Sequence, residues 1–288
     1  ITGQAGFVGS HLFNYLNLKE EIEIIPIKKS FFQNTKLLEN FVESCDAIVH
    51  LAAMNRHPDP QVIHDTNIKL VRELILACEN TKSNPHIIFS SSTQEDRDNL
   101  YGKSKLEGRE LLEAWAEKTR GRTTGLVIPN VFGPFGKPNY NSVVATFCHK
   151  ITRNEKPEVH NDGQIKLIYV NELVESIFQI IKEQKTGKIE LSHTKEIKVS
   201  ELLATLEEFK SLYMIKGRIP NINTSFRLAL FNTFLCYLPK EHYPFKFTKH
   251  TDDRGSFVEI IRADTSGQFS YSTTKPGITR GNHFHTRK

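Results

Sequence analysis

Long hydrophobic runs are absent from this sequence. The most apolar late stretch, residues 226–238, contains Arg227 and Asn232, and it falls well short of the roughly 20 residues that a membrane-crossing helix needs. It predicts a core helix, and no membrane span is expected. Cysteine is scarce: the four residues Cys45, Cys78, Cys148 and Cys236 stand far apart, without a CxxC pair. That pattern gives no disulfide framework and fits free thiols in a reducing cytoplasm. Charge of one sign is not concentrated either. The 38 Lys and Arg against 33 Asp and Glu leave a formal charge of +5, scattered along the chain. Nucleic acid is therefore not indicated as a partner, whereas a mildly basic surface suits an anionic nucleotide substrate. No secretory leader is visible, and Ile1-Thr2-Gly3 reads as the end of a strand already under way. Internal repeats and low-complexity tracts are missing as well.

What remains is a globular composition, 38% hydrophobic and 25% charged over 288 residues, long enough for a large α/β domain and a smaller second unit. Short apolar runs at 22–27, 47–51, 86–91 and 124–128 read as strands. Between them, apolar residues recur at helical spacing over 7–18, 36–44, 61–78 and 102–118. The alternation predicts a Rossmann-like doubly wound parallel sheet covered by helices. Less regular helices follow near 142–151, 172–183 and 200–212, as in a substrate-capping lobe. From about Tyr243 the character changes to short alternating stretches, 256–261 and 268–271, bounded by Gly and Asp turns, which read as the opening of an all-β unit. The expected domains are 1–242 and 243–288.

Two patterns in the α/β part carry chemistry. Gly3, Gly6 and Gly9 stand at a strand end before a helical run; glycine permits the tight turn and lets backbone amides approach a pyrophosphate at the positive end of the helix. Where NAD-binding chains place a carboxylate for the ribose, at the end of the second strand, this sequence reads Ile27-Lys28-Lys29-Ser30. Two ammonium groups there attract the extra phosphate of NADP, so NADPH is the expected cofactor. Further on, Tyr101-Gly102-Lys103-Ser104-Lys105 spaces tyrosine and lysine by four, on one face of a helix. The ammonium is expected to stabilise a phenolate and lower the tyrosine pKa from its usual value of about 10. Tyrosine can then pass a proton to a carbonyl oxygen as hydride arrives, with a hydroxyl from the preceding Ser90-Ser91-Ser92-Thr93 holding that oxygen.

The residues TGxxGFVG, His50-Leu51-Ala52-Ala53, the serine row, YGKSK and Pro129-Asn130-Val131-Phe132-Gly133-Pro134 together resemble the extended short-chain dehydrogenase/reductases that modify nucleotide-activated sugars. The resemblance covers roughly residues 1–240. It implies that Gly3, Gly6, Phe7, Val8 and Gly9 cradle the cofactor phosphates, that Leu51, Ala52, Ala53 and Asn55 line the cofactor, and that Asn67 supports that wall. It further implies that Ser92, Tyr101 and Lys105 are catalytic, with Ser91 as the alternative hydroxyl at the substrate. Pro129 would lie by the nicotinamide, and Asn130 would either face the substrate or cap a turn. The family often has an arginine-containing stretch before its late Tyr-Val; here residues 165–170 read Ile-Lys-Leu-Ile-Tyr-Val, so the diphosphate contact is unassigned.

Near the C-terminal end, Gly277 stands six residues before His283-Phe284-His285. Residues two apart on a strand face one side, so His283 and His285 could reach one cation, as in the opening of a cupin metal motif. Together with Asp252-Asp253-Arg254-Gly255-Ser256-Phe257 and Lys137-Pro138-Asn139-Tyr140-Asn141-Ser142-Val143, this resembles the bifunctional capsular polysaccharide enzymes of the CapF type. That resemblance implies a cupin, with zinc, that epimerises carbon 3 of a UDP-2-acetamido-2,6-dideoxy-4-ketohexose. A reductase domain then reduces the carbon-4 ketone with NADPH, on the way to UDP-N-acetyl-L-fucosamine. It also implies a UDP-sugar substrate, a homodimer and a cytoplasmic location. Two other readings compete: a nucleotide-sugar 4-epimerase that retains NAD, and a dinucleotide-sensing regulator without catalysis.

Overall fold

The structure, a computed structural model, describes residues 1–265, 267–279, 281 and 284. The candidate metal ligands His283 and His285 lie outside the described residues. Two compact units are present, one made of Ile1–Thr146 and Gly163–Lys198, the other of Phe147–Asp162 and Val199–Lys288.

In chain order the elements up to residue 198 are α1 (Phe7–Leu16), α2 (Thr35–Glu43), β1 (Ala47–His50), α3 (Pro60–Thr81), β2 (His86–Ser92), α4 (Leu100–Thr119), β3 (Arg122–Ile128), β4 (Asn130–Phe132), α5 (Val143–Thr152), β5 (Gln164–Tyr169), α6 (Val170–Glu183), β6 (Gly187–Glu190) and β7 (Lys195–Lys198). Strands β1-β2-β3-β6 form one wholly parallel sheet. Alternation along its strands divides the core. Val49, Ile88 and Leu126 pack with Leu12 and Leu16 of α1 and with Leu173 and Ile177 of α6. Ile48, Ile87 and Phe89 pack with α2, α3 and α4 on the opposite face. The doubly wound α/β arrangement expected from the sequence is the one found. A smaller sheet, β4-β5-β7, lies in the same unit.

One expected strand is not formed. Residues 22–27 carry no ladder, although their side chains alternate as in a buried strand: Ile22 and Ile24 join the α1/α6 cluster, and Ile25 and Ile27 join the other. A ladder needs a partner backbone. The N–H and C=O of Thr2 face β1 and the residue after it, at Val49 O (3.0 Å) and Leu51 N (3.3 Å), and 22–27 pairs with no strand among the described residues.

Helix limits follow local chemistry. Asp59 accepts from the Gln61 amide at 2.9 Å and Pro60 fills the first turn of α3, which ends at Lys82 in the left-handed region. Asn99 accepts from the Gly102 amide at 2.7 Å and so fixes where α4 begins.

The second unit contains α7 (Val199–Phe209), which runs into a π-helical turn at Lys210–Ile215, then β8 (Arg218–Ile219), α8 (Ser225–Leu235), β9 (Lys249–Asp252), β10 (Gly255–Ala263) and β11 (Gln268–Thr274). The apolar stretch before residue 238 is the helix α8, and Phe209 sits against its Phe231 and Phe234. Strands β9, β10 and β11 form an antiparallel meander, with β8 pairing parallel to β10. Among the described residues no helix is long and apolar enough to cross a membrane.

Candidate active site

The glycine loop is fixed from below by Thr2. Its hydroxyl accepts from the Ala52 amide at 3.1 Å and lies 3.0 Å from Nδ1 of His50. Gly3 follows at φ +70°, where a Cβ would lie 2.8 Å from the Ala52 nitrogen. At Gly9 a Cβ would stand 2.3 Å from the Gly3 oxygen and 2.7 Å from Cα of Gln4. Both neighbours are backbone, so only glycine lets α1 start against this loop. Gly6 is the N-cap, and no side chain caps the helix. Phe7 and Val8 turn their side chains toward the α1/α6 core. What these residues offer a phosphate is therefore backbone N–H at the positive end of a helix dipole. The cradle fits a dinucleotide pyrophosphate.

His50 shows how tightly this floor is sealed. It is 0% exposed, stacks on Phe89 at 5.9 Å, and its Nε2 has no partner among the described residues. Burial, then the neighbouring Lys105, pushes its pKa down to about 3, and burial lowers His86 to about 4. Both stay neutral when folded, while the unfolded chain binds protons below about pH 6.5. Stability is accordingly full above that value and is lost as pH falls, by about 2 kcal/mol for each histidine at about pH 5. Chemical denaturation at about pH 8 and pH 5 checks this; a midpoint that does not move would contradict it.

Leu51, Ala52 and Ala53 run half-buried from the end of β1, and Asn55 is exposed. Asn67, on the buried face of α3, grips the next residue by both backbone groups: its Oδ1 accepts from the Met54 amide at 2.7 Å, and its Nδ2 donates to the Met54 carbonyl at 3.1 Å. The same amide donates to Ser104 Oγ at 3.0 Å, and Ser104 donates to the Tyr101 carbonyl at 2.7 Å. Asn67 thus ties the wall after β1 to the helix that carries Tyr101. Lys28 and Lys29 are exposed where 22–27 ends and a short 3-10 turn, Lys29–Gln33, begins. Neither forms an ion pair among the described residues.

The end of β2 and the first turns of α4 bring together the serine row, Tyr101 and Lys105. The serines differ in what they hold. Ser90 donates to the His50 carbonyl at 3.0 Å and, through its own carbonyl, accepts from Lys105 Nζ at 2.9 Å. Ser91 donates to Glu95. Ser92 accepts from the Gln94 amide at 3.2 Å, and its own proton goes to no described residue. Lys105 is 3% exposed, with Nζ 5.0 Å from the Phe89 ring centre and 5.7 Å from that of Tyr101.

The electrostatics correct one expectation. Tyr101 is not acidified: burial, with the Tyr140 phenol nearby, raises its pKa to about 12, and burial lowers Lys105 to about 8, partly opposed by Glu95. Desolvation is the largest cause for each group, and it disfavours the charged form of both. At neutral pH Tyr101 is a phenol and Lys105 an ammonium, the state from which a proton can be given.

Pro129 is buried between β3 and β4, and Asn130 is exposed on β4, where its Nδ2 donates to the Lys166 carbonyl at 3.3 Å. Sequence reasoning missed Gly102, Glu95 and Arg109. A Cβ at Gly102 would stand 2.0 Å from the Gln94 oxygen. Glu95 stands in the charged run Gln94-Glu95-Asp96-Arg97-Asp98-Asn99, and only the fold shows that it is buried. No group of three or more His, Cys, Asp or Glu placed to hold a metal occurs among the described residues.

The sequence matches the NAD dependent epimerase/dehydratase family over residues 1–191 and the polysaccharide biosynthesis C-terminal domain over 250–288. Along its whole length it is 34% identical to a Pseudomonas aeruginosa protein named UDP-2-acetamido-2,6-beta-L-arabino-hexul-4-ose reductase, and it covers 77% of that protein. The crystal structure of the capsular polysaccharide assembling protein CapF from Staphylococcus aureus superposes with a TM-score of 0.84 at 33% identity, over 98% of this chain and 76% of that one. A stretch of 48 residues, 15% of this chain and 32% of its match, is 40% identical to the spore coat polysaccharide biosynthesis protein SpsL of Bacillus subtilis. With two thirds of its length matched and the glycine cradle, serine row and tyrosine–lysine pair in one unit, the chain belongs to the NAD dependent epimerase/dehydratase family.

Proposed function

We propose that this chain reduces, with NADPH, the carbon-4 ketone of a UDP-2-acetamido-2,6-dideoxyhexulose in capsular polysaccharide synthesis. Residues 1–242 are then the reductase with its substrate lobe, and 243–288 begin a cupin that epimerises carbon 3. The observation that carries the reaction type is Lys105, 3% exposed beneath the end of β2 and facing the Tyr101 ring, with the unspent proton of Ser92 on the same strand end. The substrate class draws support from the full-length similarity to the Pseudomonas reductase. Exposed Lys28 and Lys29 favour the phosphorylated dinucleotide. A zinc in the cupin rests on Gly277, His283 and His285 in sequence alone.

NADPH, when bound, supplies the hydride. Ser92 donates a hydrogen bond to the ketone oxygen and fixes it. Tyr101, a phenol at neutral pH, gives its proton to that oxygen as negative charge gathers there. Lys105 stabilises the phenolate left behind, and the low-polarity surroundings make that attraction count. Asn67 and the glycine cradle hold the walls still.

Supplied with the keto sugar and NADPH, the purified protein is expected to oxidise one NADPH per ketone, and NMR of the product shows a carbon-4 hydroxyl. Absence of NADPH oxidation sinks the reading, and NAD released intact on denaturation would favour a 4-epimerase. Because Lys105 must keep its proton, kcat/KM is expected to fall about tenfold per pH unit above about pH 8. A profile flat to about pH 10 would remove Lys105 from this role.

A further inference from the structure

An ion pair lies beside the serine row, where Glu95 accepts the proton of Ser91. The Glu95 side chain is 3% exposed and that of Arg109 11%. Nε of Arg109 donates to Oε1 of Glu95 at 3.0 Å and Nη2 donates to Oε2 at 3.1 Å, a two-pronged contact. Its remaining nitrogen, Nη1, donates to Glu113 one turn further along α4 at 2.8 Å, and Nζ of Lys188 on β6 stands 4.0 Å from Glu95. Room for this arginine is made by a missing side chain: a Cβ at Gly125 of β3 would lie 2.3 Å from its Cδ and 2.7 Å from its Cγ. A sheet position, a helix and a loop are thus committed to burying one charge pair.

We infer that Glu95 and Arg109 are positioning residues for the reaction at Ser92 and Tyr101, an inference that rests on the reductase reading above. Neither touches the reacting atoms. Side chains alternate along β2, so Ser91 points to the opposite face from Ser90 and Ser92. By accepting the proton of Ser91, Glu95 fixes the rotation of the strand end that carries Ser92. By gripping Glu95 and Glu113 together, Arg109 fixes the 93–99 loop against α4, the helix that carries Tyr101 and Lys105. A buried ion pair adds little net stability, yet it tolerates few geometries. That suits it to setting the position of Ser92 relative to Tyr101.

The test uses the full chain with Glu95→Gln, Arg109→Lys, Ser91→Ala and the double variant Ser91→Ala/Glu95→Gln. Glu95→Gln is expected to lower kcat about 10- to 100-fold, as a misplacement near 1 Å does, with KM for NADPH within about twofold. Arg109→Lys, which keeps the charge but loses the fork, should fall between Glu95→Gln and the wild type. Ser91→Ala alone should lower kcat about 3- to 10-fold, and the double variant should match Glu95→Gln, because both changes act through one contact. Multiplicative losses in the double variant would instead place Ser91 directly on the substrate and overturn the inference. So would a folded Glu95→Gln protein with wild-type kcat. If Glu95→Gln does not fold, Ser91→Ala decides, and wild-type kcat there also overturns it. Should the wild type itself show no turnover, the reductase reading fails separately. Amide exchange of residues 91–105 then judges the clamp: a rise of about tenfold in Glu95→Gln, or in Ser91→Ala if that protein does not fold, supports it, and no change overturns it.

Discussion

Tyr101→Phe is expected to lower kcat by about 10²- to 10⁴-fold, the range for loss of a positioned general acid, while leaving NADPH affinity and thermal stability close to those of the wild type. The size of the effect follows from what is removed. The ring remains and continues to pack beside Lys105, whose Nζ lies 5.7 Å from its centre. The helix remains capped by Asn99. Only the hydroxyl is lost, and with a pKa raised to about 12 by burial that hydroxyl is fully protonated at working pH. Without it, on the reductase reading, the alkoxide would have to take its proton from water, a weaker acid than a positioned phenol. Steady-state kinetics with dinucleotide affinity measured by fluorescence check the split. Loss of affinity in step with kcat would mean that Tyr101 holds the cofactor and does not deliver the proton.

Gly102→Ala is expected to reduce kcat about 100-fold and to cost about 1–3 kcal/mol of stability, from overpacking against a backbone that cannot easily move. The added methyl would stand 2.0 Å from the Gln94 oxygen and 2.9 Å from its carbonyl carbon. A flexible side chain could swing aside, whereas this carbonyl belongs to the residue whose amide donates to Ser92 at 3.2 Å. Displacing Gln94 therefore drags the Ser92 hydroxyl away from Tyr101. Gly108→Ala provides the comparison on the same helix, since its Cβ would meet side chains and no backbone, the tip of the Phe89 ring at 3.0 Å and Cγ2 of Val71 at 3.3 Å. Kinetics and denaturation of the two variants side by side check the argument, and equal losses would show that crowding of α4 in general, not the position of Gln94, is responsible.

The two variants differ in how far sequence alone could foresee them. Tyr101 is readable because its chemistry needs a lysine four residues on, and a helix supplies that spacing whatever surrounds it. Gly102 lies one residue away and carries no such signal; its need for hydrogen in place of a side chain arises from a loop eight residues upstream in sequence, which only the fold brings into contact. The glycine loop falls between these cases. Its spacing was visible, but the reason for Gly9, a 2.3 Å approach to the Gly3 oxygen, was not. Strand propensity likewise marked 22–27, and the side-chain alternation there is real, yet hydrogen-bonded pairing depends on a neighbour that local sequence does not specify.

The sequence by itself determined the alternation of strands and helices, the doubly wound sheet, the glycine cradle and the pairing of Tyr101 with Lys105, because each depends on periodicity or short spacing. Tertiary structure alone decided the electrostatic state of that pair. Burial raised the phenol and lowered the ammonium, reversing the expectation for the tyrosine, since desolvation depends on everything packed around a group and not on its neighbours in sequence. The hydrogen-bond partners of the three serines were decided in the same way. Identical in sequence, they are distinguished by what each faces: the His50 carbonyl and Lys105, Glu95 with Arg109 behind it, and the Gln94 amide that leaves the proton of Ser92 unspent.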